Sequence, residues 1–223
     1  KSGYWAKGDS ARLKDPRSDT LGAYLDVVRV AQPEILLIEN VKGINFKKKN
    51  EGMEFLLAGL DDINKSTGSK YEPKIFALNA ADYGVPQLRE RVFIIAHREA
   101  INFGLPVPTH SLVSNPKKDT EAHLTAWDAI GDLDTSEWPL ELNAQGKWGD
   151  LLASIPEGHN YQWHTDRMDG KPLFGWRTRF WSFLLKLSKN QPSWTIQAQP
   201  GPATGPFHWK GRQLSIRELA RLQ

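Results

Sequence analysis

The sequence predicts an α/β fold over its first hundred residues, joined to a second, irregular region. Three observations support this prediction. Helical and strand patterns alternate up to about residue 100, short apolar runs of strand length separate the helices, and eight of the nine tryptophans follow residue 100. The chain therefore changes character near its middle, which indicates two domains of different architecture.

The first region contains the amphipathic helices and apolar strands of an α/β domain. Apolar residues recur at helical spacing over residues 20–31, with Ser18 or Asp19 as the expected cap, and again over residues 53–63. Turn-forming residues occupy positions 82–86. Strands are predicted at residues 35–38, 75–80 and 92–96.

The strand at residues 35–38 is continuously apolar, which is typical of a strand buried on both faces of a parallel sheet. A doubly wound sheet has about five strands or more, whereas this region supplies only the strands named above. We therefore expect an incomplete sheet with an uncovered apolar edge, and further strands that lie outside these 223 residues.

The second region begins near residue 105 and is rich in Trp, His, Pro and Gly. Short helices are predicted at residues 124–133 and 180–189. Trp127 and Trp181 lie on these predicted helices and are expected to be core residues. A Pro/Gly-rich loop with interleaved aromatic residues follows at residues 192–212.

A final helix is predicted after that loop. Ser215 and Glu218 have the spacing of a capping box, in which each side chain bonds the backbone N–H of the other residue. Leu219 and Leu222 would begin the apolar face of this helix. The sequence therefore indicates a well-defined helix start close to its last residue.

Composition excludes several classes of site. The chain has no cysteine, so it can form neither a disulfide nor a thiolate metal site, and it supplies no thiol nucleophile. His159 and His164 have no third ligand at a recognisable spacing, so no metal site is predicted. No apolar run is long enough to span a membrane. The formal net charge of +3 is compatible with a polyanionic partner.

Glu39 follows an apolar strand in the segment "EILLIENVKG". In open α/β sheets, ligands bind beyond the carboxyl ends of the strands. A partly desolvated carboxyl group at that position would act as a proton donor. The alternative is a strand-end charge in water, and this feature taken alone favours that alternative.

A second cluster lies in "VPQLRERVFIIAH", where Gln87, Arg89 and Arg91 alternate. At strand spacing the three side chains would share one face and form a surface rich in hydrogen-bond donors. Such a surface suits phosphate oxygens or a base carbonyl. The alternative is a strand that enters the sheet from a charged loop.

Together these motifs resemble those of the cytosine-C5 DNA methyltransferases. Glu39-Asn40-Val41 resembles the catalytic-acid motif of that family, and "QLRER" after "DYGVP" resembles its Q-x-R-x-R motif. "SWTIQAQPG" at residues 193–201 resembles the recognition-loop segment, and "RQLSIRELARLQ" at residues 212–223 resembles the late helix. The motifs occur in the family's order and cover essentially the whole chain.

The resemblance implies a Rossmann-like methyltransferase sheet and a base-flipping reaction on double-stranded DNA. A cysteine thiolate adds to C6 of the flipped cytosine, and S-adenosylmethionine supplies the methyl group to C5. Glu39 would be the acid at N3 and the exocyclic amine, and Arg91 would contact O2 and hold Glu39 in place. Asn40, Gln87 and Arg89 would belong to the substrate-binding region.

The tryptophan-rich region would be the target recognition domain. On this interpretation residues 1–104 form part of the catalytic domain, residues 105–209 form the recognition domain, and residues 210–223 return to the catalytic domain. Arg and Gln side chains can hold phosphates or contact base edges. The candidate DNA contacts are Arg177, Arg179, Thr195 and Gln197.

The chain departs from the family pattern because the P-C-Q nucleophile loop and the F-x-G-x-G cofactor segment are absent. We therefore expect it to be inactive alone and to need the missing N-terminal part, either in one polypeptide or as a separate chain. The preferred function is a bacterial, cytoplasmic, nucleoid-associated methyltransferase of restriction–modification. The alternatives are a non-catalytic DNA-binding or regulatory subunit and, ranked lower, a tRNA cytosine methyltransferase.

Overall fold

The computed structural model describes residues 20–41, 51–114, 119–198 and 200–223. The chain divides into two compact units. One contains the residues up to Leu78 together with Glu90–Pro106, and the other contains Asn79–Arg89 and Val107–Gln223. None of the helices in the described ranges is long and apolar enough to cross a membrane.

The first unit is a three-stranded sheet with two helices. Helices α1 (Thr20–Ala31) and α2 (Glu51–Thr67) accompany strands β1 (Ile35–Val41), β2 (Lys74–Asn79) and β4 (Glu90–His97). The strand order is β1-β4-β2. Both predicted helices and all three predicted strands are confirmed, and so is the α/β class. The expected cap of α1 at Ser18 or Asp19 lies outside the described residues.

Strand β1 runs antiparallel to β4, with Ile35 opposite His97 and Val41 opposite Arg91. The expectation that this strand is buried on both faces in a parallel sheet is wrong. Leu36 is buried, whereas Ile35 and Leu37 are each 59% exposed. The reason is that core residues of α1 and α2 pack on the sheet face that carries Leu36, whereas Ile35 and Leu37 lie on the opposite face.

The core of this unit fills the space between the two helices and the covered sheet face. It draws residues from α1, α2, β1 and β4 at the periodicities of 3.6 and 2 that bring side chains to one face of a helix and of a strand. Its members are Leu25, Val28, Leu36, Met53, Leu56, Leu60, Ile63, Tyr71, Val92, Ile94 and Ala96.

The second unit has little regular structure. Its strands are the short segments β3 (Gln87–Leu88), β5 (His110–Ser111), β6 (Glu121–Ala122) and β7 (Ser193–Trp194), and its helices are α3 (Ala126–Ile130) and α4 (Ile216–Arg221). Strand β3 pairs in parallel with β7, and β5 with β6. The prediction for residues 124–133 is confirmed by α3 and a 3-10 turn at Gly131–Leu133.

The prediction of a helix at residues 180–189 is wrong. Leu184 adopts a positive φ of 55°, which a right-handed helix does not permit. The backbone instead forms bridges between Phe183 and Thr204 and between Lys186 and Phe207. These contacts to a distant segment satisfy backbone groups that a helix would have satisfied locally.

The expectation that Trp127 and Trp181 are core residues is also wrong. Trp127 is 44% exposed and packs against Trp209, and Trp181 is 41% exposed and packs against Trp194. The interior of the unit is built by other residues. One cluster contains Ala126, Ile130, Leu187, Trp209, Leu214 and Leu222, and another contains Leu152, Ile155, Tyr161, Leu184 and Phe207.

Candidate functional site

Glu39 and Arg91 form an ion pair in the first unit. The Arg91 Nε lies 2.8 Å from the Glu39 Oε1. Strand register explains the contact, because Glu39 lies opposite Phe93 and Arg91 lies opposite Val41. The two side chains are therefore diagonal neighbours on one sheet face, within reach of each other across an antiparallel pair.

The pair presents its carboxylate rather than burying it. The Glu39 side chain is 46% exposed and that of Arg91 is 17% exposed. Arg91 is also fixed by a hydrogen bond from its Nη1 to the Glu90 carbonyl, at 2.8 Å. Neighbouring Asn40 accepts a hydrogen bond from the backbone N–H of Val41. The arrangement holds an accessible carboxyl group beside a more buried guanidinium, and the desolvation expected for Glu39 is slight.

Gln87, Arg89 and Arg91 do not lie on one continuous strand, contrary to the expectation that they share a face. The strand is interrupted at Arg89, so Gln87 belongs to β3 and Arg91 to β4. The Asn79 side-chain oxygen accepts hydrogen bonds from the backbone N–H groups of Arg89 and Ala81. Asn79 thereby closes the loop that carries Gln87 and Arg89.

Gln87 is 2% exposed and has a structural partner. Its Nε2 donates a hydrogen bond of 2.8 Å to the Leu222 carbonyl at the end of α4. That carbonyl is one of the groups that a helix end leaves without an intrahelical partner. The first residue of the Q-x-R-x-R motif thus binds the late helix, in the part of the chain that the structure describes.

Thr195 connects the same loop to the recognition segment. Its Oγ1 donates a hydrogen bond of 2.8 Å to the Leu88 carbonyl, and the Ser193 N–H donates one of 2.8 Å to the Pro86 carbonyl. Thr195 is half-buried, whereas Gln197 is exposed. Of the two predicted DNA contacts, only Gln197 has a freely exposed side chain.

Arg177 and Arg179 lie on the surface of the second unit. Both are exposed and line a surface cavity of about 590 Å³ together with Phe180. Within the described ranges, neither guanidinium has a carboxylate or hydrogen-bond partner. The Arg177 carbonyl accepts hydrogen bonds from the Tyr161 hydroxyl and the Gln162 side chain, and these are its only bonds to described residues. These charges are free to meet an anionic ligand.

A buried polar cluster surrounds the start of α4. The sequence predicted the capping box in this cluster but none of its other bonds. The Glu218 carboxylate accepts a hydrogen bond of 2.7 Å from the Ser215 N–H, and the Glu218 N–H donates one to the Ser215 Oγ. It also accepts two hydrogen bonds from Arg212, at 2.7 and 2.8 Å. Arg212 and Glu218 are 2% and 1% exposed. A bidentate pair of this kind fixes the geometry of the helix start.

The surroundings of Glu218 and His208 lower the pKa of both groups, which favours an ionised Glu218 and a neutral His208. Burial raises the pKa of Glu218, but the hydrogen bonds from Arg212 and Ser215 outweigh it, so the net shift is downward. Burial, reinforced by the Arg212 charge, lowers the pKa of His208 to about 4. The His208 Nδ1 accepts the Lys210 N–H, so the proton of the neutral ring is on Nε2, 3.6 Å from Glu218.

The family model of the C-5 cytosine-specific DNA methylases matches this chain over residues 4–223. The chain belongs to this family. The motifs around Glu39, Gln87 and α4 are thus motifs of a C-5 cytosine-specific DNA methylase, in the order that the sequence indicated.

Several curated relatives are similar to this methylase chain over nearly its full length. The Type II methyltransferase M.SacI of Streptomyces achromogenes is 40% identical over 236 aligned residues, which cover 100% of this chain and 58% of the relative. M.MthTI of Methanothermobacter thermautotrophicus is 32% identical and covers 97% of this chain and 62% of its own length. The chain spans about three fifths of the curated relatives that it matches.

A solved structure supports the fold. A prophage-encoded E. coli protein, described as a DNA modification methyltransferase, superposes with a TM-score of 0.52. The match covers 93% of this chain and 64% of the other, at 16% sequence identity. At this identity the likeness establishes the methyltransferase fold.

Two kinds of ligand-binding feature do not occur among the described residues of this chain. No glycine-rich turn between a strand and a helix is available among them to receive S-adenosylmethionine. No cluster of three or more metal-ligating side chains occurs in the described ranges either. Glu39 and Arg91 offer an exposed carboxyl group and a guanidinium to a ligand, and Arg177 and Arg179 offer exposed positive charge.

Proposed function

We propose that this chain is the acid-bearing and DNA-recognising part of a DNA cytosine-C5 methyltransferase of a bacterial restriction–modification system. The observation that carries the proposal is the Glu39–Arg91 ion pair on one sheet face. A flipped base must be held on its polar edge by matched donors and acceptors. An exposed carboxyl group beside a guanidinium offers both.

Within this proposal Glu39 holds the exocyclic amine and N3 of the cytosine, and Arg91 holds O2. Arg91 also keeps the Glu39 carboxyl group in one orientation through the 2.8 Å contact. Asn40, which accepts the Val41 N–H at the end of β1, belongs to the substrate-binding region, as do Gln87 and Arg89. The pairing of β1 with β4 holds Glu39 and Arg91 in position for their roles.

The DNA duplex would contact the second unit. Arg177 and Arg179 would bind phosphates, because their guanidinium groups are exposed and have no partner among the described residues. Gln197 would approach a base edge. Thr195, bound to the Leu88 carbonyl, would fix the position of the recognition segment, and the lone pairs of its hydroxyl oxygen could accept a hydrogen bond from a base N–H.

The nucleophile and S-adenosylmethionine, the methyl donor of the family, would be held by a second segment that carries the P-C-Q and F-x-G-x-G motifs. Ile35, Leu37 and Val41 support this proposal because each is more than half exposed on the sheet face that also carries Glu39. An apolar face of this size favours contact with another polypeptide segment. We place the complete enzyme in the bacterial cytoplasm, at the nucleoid.

Glu39→Gln in the complete enzyme tests the function. The amide keeps the size of the side chain and removes its acid, so the single-turnover rate of methyl transfer should fall by roughly 10²–10⁴-fold. The assay follows label from S-adenosylmethionine into duplex DNA. Glu34→Gln is the matched control, since Glu34 precedes the same strand with its side chain 74% exposed. A rate for Glu39→Gln equal to that of the control would refute the acid role.

A further inference from the structure

The second unit carries a tryptophan-lined cavity separate from the Glu39–Arg91 pair. Trp176, Trp181 and Trp194 line it, and its volume is about 400 Å³. Trp181 and Trp194 are 41% and 37% exposed, and their rings meet edge to face at 4.8 Å. Contiguous exposed clusters of large apolar side chains are typical of interaction sites and ligand-binding grooves.

Polar groups at the cavity are partly unused. Asn160 is tied to the Trp181 carbonyl through its Nδ2. Gln162 donates its Nε2 to the Arg177 carbonyl, which leaves its Oε1 without a partner among the described residues. The His159 imidazole packs edge-on against Trp163 and makes no hydrogen bond through its ring nitrogens within the same ranges. The cavity therefore combines aromatic surfaces with free donors and acceptors.

Positive charge borders the cavity. The Arg167 guanidinium lies 5.1 Å from the centre of the Trp176 ring, and Arg177 follows Trp176 directly. Arg177 and Arg179 form the adjoining surface with Phe180. An aromatic platform next to arginines is the combination that holds unstacked nucleic-acid bases and their phosphates.

We propose that this cavity binds one unstacked base of the DNA substrate, distinct from the cytosine that is methylated. The indole rings would stack against the base, and Gln162 and His159 would bond its polar edge. The arginines would hold the flanking phosphates. This inference rests on the proposed DNA-binding function and adds to it a second, extrahelical base site.

The test compares two duplexes with the full chain by fluorescence anisotropy. They have one sequence and differ only in a single adenine, which is paired in one and lies opposite an abasic position in the other. Stacking on aromatic side chains contributes about 1–3 kcal/mol per base, so the duplex with the unpaired adenine should bind roughly 5- to 100-fold more tightly.

Variants assign the preference to the cavity. Trp181→Leu should remove the preference and leave binding of the paired duplex within about 2-fold, whereas Trp181→Phe should restore part of it, because a phenyl ring still stacks. Trp127→Leu is the matched control, since Trp127 is exposed to a similar extent but packs against Trp209. Circular dichroism checks that each variant folds.

The outcomes separate the two proposals. Binding of the paired duplex without any preference for the unpaired adenine overturns the base site and leaves the DNA-binding function standing. Absence of binding to either duplex overturns both. A preference that survives in Trp181→Leu also overturns the assignment of this cavity to a DNA base.

Discussion

Two arginine side chains in the second unit should determine how strongly DNA binding by this chain depends on salt concentration. Arg177 and Arg179 differ from Arg29 of the first unit, which is paired with Asp62 at 2.7 Å. A guanidinium without a carboxylate partner can bind a DNA phosphate and release a counterion. The salt dependence of binding therefore reports whether these two arginines touch the backbone.

Arg177→Ala or Arg179→Ala should weaken duplex binding and lower the slope of log affinity against log salt by about one unit each. The measurement is a titration of labelled duplex at several salt concentrations. Arg29→Ala is the control and should leave the slope unchanged, because its charge is already neutralised by Asp62. An unchanged slope in both test variants would place these arginines away from the phosphates.

His208 links the buried cluster to pH. Its pKa is lowered to about 4 in the folded state, from an ordinary value near 6.5, so between these values the unfolded chain binds a proton that the folded chain does not. Stability from this residue is therefore complete above about pH 6.5 and is lost as pH falls towards 4. The full loss is roughly 3 kcal/mol.

His208→Asn should flatten this pH dependence. An Asn oxygen can accept the Lys210 N–H in place of Nδ1, and it does not titrate. Denaturant unfolding of wild type and variant between about pH 7 and pH 5 gives the two slopes. The difference between the slopes isolates His208, even if the variant is less stable at every pH. Equal slopes would contradict the assignment.

The start of helix α4 is stabilised by one carboxylate, that of Glu218, which makes two kinds of contact. Glu218 closes the capping box with Ser215 and neutralises the buried Arg212. Removing one partner of a buried ion pair leaves the other charge uncompensated, whereas removing both charges leaves no such charge. The helix start should therefore respond very differently to single and double substitutions.

Glu218→Gln should lower the free energy of unfolding by about 3–5 kcal/mol, because it strands the Arg212 charge. Ser215→Ala removes only the cap bond and should cost about 1 kcal/mol. The double variant Arg212→Met with Glu218→Leu should be more stable than Glu218→Gln alone. Denaturant titrations give all three values. A double variant that is less stable than the single one would show that the pair contributes net stability.

Local elements were predictable from the sequence, and elements fixed by distant contacts were not. The bounds of α1 and the cap of α4 follow from spacing within one segment, so Thr20–Ala31 and the Ser215–Glu218 box are as predicted. Residues 180–189 also have helical composition, but bridges to Thr204 and Phe207 decide their conformation. No pattern within residues 180–189 indicates those partners, which is why the environment of Trp181 was predicted wrongly.

The candidate site shows the same division. Glu39 and Arg91 were predicted as a pair because two sequence motifs resemble those of the family and occur in the same order. The structure brings the two side chains together. Arg212 is the first residue of the late-helix motif, but that motif did not indicate its pairing with Glu218, and His208 belonged to no quoted motif. Their role becomes visible only when the loop that carries them packs against α4 and buries both side chains. Burial of a charged residue depends on which segments meet, and periodicity within one segment does not encode it.

At the scale of the whole molecule, the chain carries an acid but no thiol. Cysteine is absent from all 223 residues, so these residues supply no thiol for cytosine-C5 methylation. The apolar sheet face beside Glu39 is where a cysteine-bearing segment would dock, since Ile35 and Leu37 are each 59% exposed there. Acid and nucleophile would then meet on one face of the sheet.

The purified chain should therefore transfer no methyl group from S-adenosylmethionine to duplex DNA, even where it binds that DNA. Addition of a second polypeptide that carries P-C-Q and F-x-G-x-G motifs from a methylase of this family should produce turnover. Leu37→Asp should then abolish the turnover, because a charge on the apolar face opposes docking. Val107→Asp is the control, since Val107 is 79% exposed and lies in the other unit. Turnover by the purified chain alone would contradict the requirement for a second segment.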